Sequence, residues 1–125
     1  MAAADYLRAA SAELRKAAQD LNDQVRSAQA GYDQERRQLD STIKSQEVEI
    51  KTKEASVAAM NDPDEIKGMR VQIATLQKLA TDHKQALDSS RSNVEGMVNS
   101  KLGFAQQLES LAGQLDGMAG RPEAS

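Results

Sequence analysis

Apolar residues recur along this chain at alternating steps of three and four. From Ile66 the series runs Met69, Ile73, Leu76, Ala80, His83, Leu87, Ser90, Val94, Met97, Lys101, Phe104, Leu108, Leu111, Leu115 and Met118, with only His83, Ser90 and Lys101 polar. An ordinary amphipathic helix drifts away from a 3.5-residue period, so a series this long predicts a coiled-coil seam. The same spacing opens the first half with Leu7, Ser11, Leu14, Ala18, Leu21, Val25, Ala28 and Tyr32. It resumes as Arg36, Leu39, Ile43, Gln46, Ile50, Lys53, Val57 and Met60. Positions 28, 32, 36 and 39 are four, four and three apart. This eleven-residue element is a stutter, which locally unwinds a left-handed supercoil, and it lies beside Gly31.

Between the two series stands Asn61-Asp62-Pro63-Asp64-Glu65. Asp62 is placed to cap a new helix. Pro63 fits its first position, where a missing N–H costs nothing, and the charge of Glu65 favours the helix N-terminus. Pro63 also pushes the preceding residue out of the helical region. The expected architecture is all-α, a long antiparallel two-helix coiled-coil hairpin with helices at 5–60 and 63–116, a turn at 61–62 and a fraying tail at 117–125. Residues 1–120 form the hairpin domain. A short turn makes the helices neighbours whose facing residue numbers add to about 126, so Ile43 is expected opposite His83, Arg36 opposite Ser90 and Val25 opposite Lys101.

The flanks of the seam divide the hairpin into two zones. Beside the second-helix series the residues read Arg70, Gln77, Lys84 and Arg91, and then Val98, Ala105, Ala112 and Ala119. Near the N-terminus Ala3, Ala10 and Ala17 similarly border the leucines. Antiparallel pairing brings these broadened zones together at the open end, and a stripe wider than one seam calls for additional helices. The expected interface comprises Leu7, Ala10, Leu14, Ala17, Leu21, Phe104, Ala105, Leu108, Leu111, Ala112, Leu115 and Met118, through which hairpins associate into a helical bundle.

Composition narrows the chemistry. The 125 residues include one Phe, two Tyr and neither Trp nor Cys, too few rings to fill a thick globular core. The first 60 residues carry nine basic and ten acidic side chains and the rest seven and nine, so neither half is a basic arm for nucleic acid. No apolar run reaches the length of a membrane span and the first twenty residues lack the pattern of a secretion signal, so a cytoplasmic location is expected, with leaderless export as the alternative.

The candidate reactive groups have structural explanations. His83 is the sole histidine, at a seam position with no second ligand three or four residues away to share a metal. Asp62, Asp64 and Glu65 lack the spacing of a calcium loop and are used by the helix cap. Arg36-Arg37, flanked by Asp33, Glu35 and Asp40, reads as a salt-bridged surface. The segment 102–120 has Glu109 and Asp116 as its only charges and lacks the Lys and Arg of a membrane-surface helix, so it reads as a protein interface. A row of small residues, Gly68, Thr75, Ser89, Gly96, Gly103, Ser110 and Gly117, interrupted by Asp82, either admits another helix or faces solvent.

No cofactor, metal or catalytic site is expected, and no enzyme, since two helices make no pocket in which an acid, base and nucleophile converge. The expected function is that of a non-enzymatic structural or adaptor protein, acting through self-association and protein binding. The alternative is a holdase-like chaperone or an accessory of a secretion apparatus, gripping clients between the arms.

Overall fold

A computed structural model describes residues 2–122. It contains two helices, α1 (Ala3–Ala58) and α2 (Pro63–Ala119), with no strand among the described residues. The chain is an all-α helical hairpin. α1 starts and ends two residues earlier than its apolar pattern indicates. α2 continues three residues beyond 116, closed by bonds from the Gly120 amide to the Asp116 carbonyl (3.0 Å) and from the Arg121 amide to the Met118 carbonyl (3.2 Å). The fraying expected from 117 therefore does not begin before Gly120, and residues 123–125 of that tail lie outside the described residues.

The turn forms as its residues dictate. α1 tightens at its end, where the Ala59 and Met60 amides donate to Ser56 and Val57, each at 3.1 Å. Asp62 then caps α2, its Oδ1 accepting from the Asp64 amide at 3.0 Å while its carbonyl accepts from the Ile66 amide. An aspartate in this position satisfies a helix-end donor that has no partner within the helix.

The structure resolves into two compact units, Met1–Ala30 with Asn93–Ser125, and Gly31–Ser92. In the second of these, Ile43, Ile73 and Ala80 are buried and Leu39, Ile50, Val57, Met60, Ile66, Met69, Leu76 and Leu87 are half-buried, the seam that the periodicity indicates. Polar side chains tie its two helical segments together. His83 Nδ1 lies 3.1 Å from Gln46 Oε1, Lys84 pairs with Glu47 at 3.0 Å, Lys53 donates to Gln72 and Ser90 donates to Glu35. The polar partner of His83 is thus Gln46, one turn along from the Ile43 expected opposite it, and Glu35 rather than Arg36 bonds Ser90, because long side chains reach past the residue directly opposite. Arg36 instead pairs along its own helix with Asp40 at 3.3 Å, one of the ion pairs expected around the arginine doublet.

The unit that joins the two chain ends has a different core. Its buried residues are Ala4, Ser11, Ala18 and Val25 on α1 and Ala105, Ala112 and Ala119 on α2, small residues repeating every seven. The α1 set follows the expected series. The α2 set does not. The seam passes through Met97, Lys101, Ala105, Leu108, Ala112, Leu115 and Ala119, so α2 has its own stutter at 97–108, while Phe104, Leu111 and Met118, expected inside, are exposed. The facing helix explains the choice. Ser11 and Ala18 are too small to fill the gap that a Phe or Leu opposite would open, and close-packed interiors leave no such gaps. Alanine opposite serine and alanine lets the backbones approach instead.

Candidate interaction surface

One hydrogen bond marks the register at the open end. Ser11, fully buried, donates its hydroxyl to the Ala112 carbonyl at 3.2 Å, a contact possible only where the helices lie close. That bond places Ala4 level with Ala119 and Ala18 level with Ala105. Lys101 donates to Gln24 farther along the same seam, where Val25 was the expected neighbour.

The two flanks of this seam are chemically unlike. Arg15 and Asp116 stand four residues after Ser11 and Ala112, so they fall on one flank, where they form an ion pair across the helices. Arg15 also donates to the Ser11 hydroxyl at 2.6 Å. The Arg15 guanidinium holds the Asp116 carboxyl below the usual carboxylate range. The opposite flank holds the residues that immediately precede each seam position. These are Ala3, Ala10 and Ala17 on α1 and Phe104, Leu111 and Met118 on α2. Antiparallel helices place equivalent flanks side by side, so these six residues share one face.

That face is apolar and open. Phe104 is 52% exposed, Leu111 48% and Met118 43%, at heptad spacing. Ala3 and Ala17 are exposed and Ala10 is half-buried. The next residues outward on α2 are Ser100, Gln107 and Gln114, none of them charged, because Glu109 and Asp116 lie on the other flank.

The twelve interface residues drawn from the sequence thus separate into three groups. Leu7, Leu14, Leu21, Leu108 and Leu115 are half-buried along the intrachain seam. Ala105 and Ala112 are buried within the hairpin, which leaves them no surface to offer another chain. Ala10, Ala17, Phe104, Leu111 and Met118 line the open face. Ser11 and Arg15, which fix this geometry, were not among them. Their signal was the seven-residue recurrence of Ala4, Ser11 and Ala18, which reads as a weak seam when only large apolar residues are counted.

His83 lies beside Gln46 and is half-buried. Among the described residues no group of three or more His, Cys, Asp or Glu is placed to hold a metal, and no helix is long and apolar enough to cross a membrane. Gly68, Gly96, Gly103 and Gly117 of the small-residue row have open space where a Cβ would stand, so none of the described residues packs against these four glycines. No protein-family model, curated protein or solved structure matches the chain.

Proposed function

We propose that this protein is a non-enzymatic coiled-coil structural or adaptor protein whose hairpins associate through the face that carries Phe104, Leu111 and Met118. The observation that supports this reading is the row of three large apolar side chains left about half exposed at heptad spacing, while the alanines beside them are buried. Fully burying a side chain of this size contributes about 1.5–3 kcal/mol, so covering the exposed half of each contributes roughly 1 kcal/mol per residue and several such residues support association. The ion-paired Arg15 and Asp116 flank keeps a charged surface turned away from the same contact.

A client-holding chaperone would draw on apolar surface near the turn. Val48, Val71 and Leu79 are exposed in the unit that holds the turn, each next to charged neighbours, Glu47 and Glu49 in the first case, Arg70 in the second and Lys78 in the third. Isolated apolar residues of this kind are ordinary surface. The continuous stripe at the open end favours the self-associating reading.

Sedimentation equilibrium tests it. The wild-type chain is expected to form a dimer or larger assembly, and the double variant Phe104→Ser with Leu111→Ser to sediment as a monomer with its helical circular dichroism retained. A wild-type chain that stays monomeric at high micromolar concentration overturns the reading.

A further inference from the structure

We propose that the partner on this face is a second copy of the chain, docked about a two-fold axis parallel to the helices so that the large side chains of each α2 seat in the alanine groove of the other copy's α1. The proposal rests on the self-association reading and adds its geometry. On the open face each copy carries both halves of a steric match. The ridge is Phe104, Leu111 and Met118, the groove is Ala3, Ala10 and Ala17, and both repeat every seven residues.

The register follows from the chain's own pairing. With Ser11 bonded to Ala112, the flank residues Ala10 and Leu111 stand at nearly the same level, as do Ala3 with Met118 and Ala17 with Phe104. Rotation about an axis along the helices preserves level, so every ridge residue of one copy meets an alanine of the other. Large opposite small is how facing helix layers interdigitate without voids. Rotation about an axis across the helices sets Leu111 against its own equivalent and Ala10 against its own, crowding one side and leaving a gap on the other.

The polar rim agrees with the first arrangement. Outward of the α1 groove stand Tyr6, Glu13 and Asp20, and outward of the α2 ridge stand Gln114, Gln107 and Ser100 at the matching levels. Two carboxylates on one side thereby meet an amide and a hydroxyl donor on the other, with no like-charged pair. Because the interface is isologous, the match occurs twice and closes the assembly.

The chain contains no cysteine, so single cysteines report this contact cleanly. Ala10→Cys chains mixed with Leu111→Cys chains and oxidised are expected to give a covalent dimer of one chain of each kind. Its formation should be about tenfold or more faster than linkage in either variant alone, since only the mixed pair holds its thiols at high effective concentration. Linkage of Leu111→Cys chains to each other as fast as in the mixture, in a wild-type protein that sediments as a dimer, overturns the pairing and leaves self-association standing. A monomeric wild type removes both. A steric swap gives a second reading. Ala10→Leu is expected to abolish association where wild type dimerises, and Leu111→Ala in the same chain to restore it, with helical circular dichroism unchanged throughout. An Ala10→Leu variant that associates like wild type overturns the proposal.

Discussion

Two side chains at the open end respond to perturbation in opposite ways. Asp116 carries a carboxyl whose pKa is lowered in the folded chain, chiefly by Arg15. A carboxylate held lower when folded than when unfolded adds stability at pH above the unfolded value, near 4, and that stability is lost as pH falls through the folded value. Both partners are well exposed, so the contribution is small. Thermal melts should show the wild-type midpoint falling more steeply than that of Asp116→Asn below about pH 4, and parallel curves would show that the ion pair adds no stability. Ala112 is fully buried against Ser11. Ala112→Leu overpacks this contact and should cost about 1–3 kcal/mol in chemical denaturation. Ala12→Leu, on an exposed position of the same unit, should change stability by no more than about 0.5 kcal/mol. Equal effects of the two substitutions would refute the close small-residue seam.

At the scale of the helix, each element carries one departure from the heptad. In α1 it spans 28–39, where the seam takes in Tyr32 and Arg36 beside Gly31; in α2 it spans 97–108, where the seam takes in Lys101 between Gly96 and Gly103. Local stability follows buried apolar contact, and no residue at 29–36 or 98–103 is buried, whereas Ala18, Val25 and Ile43 in the neighbouring stretches are. Amide exchange is expected to be faster at 29–36 and at 98–103 than at 11–25 and 43–57. Uniform protection along both helices would count against any energetic cost of the stutters. The α1 departure was legible as a change of spacing in the sequence. The α2 departure was not, because Leu108 and Leu115 belong to both possible phases and Phe104, Leu111 and Met118 extend the unbroken one.

For the molecule as a whole, the question is whether one chain satisfies its own apolar surface. Phe104, Leu111 and Met118 lie outside the seam that folds the hairpin, and the proposed association between chains is what would cover them. Association that involves only folded chains stabilises the fold by mass action. The midpoint of thermal unfolding should accordingly rise with protein concentration in the wild type and stay flat in the Phe104→Ser, Leu111→Ser variant. A flat wild-type profile would indicate that the exposed row has no partner of its own kind.

The sequence by itself determined the two helices, the Asp62-Pro63 turn and the α1 seam with its stutter. These follow from local rules of period, helix capping and proline geometry that need no knowledge of the facing helix. It also located the zone of apolar excess at the open end. Which flank of α2 faces inward there was decided by tertiary structure. Ranked by hydrophobicity, Phe104, Leu111 and Met118 belong inside and Ala105, Ala112 and Ala119 outside. Burial depends on the fit of both surfaces, and the facing Ser11 and Ala18 admit only small residues at close approach, with the serine hydroxyl bonded to a backbone carbonyl. That constraint belongs to neither helix alone, and it is what turns the large side chains outward.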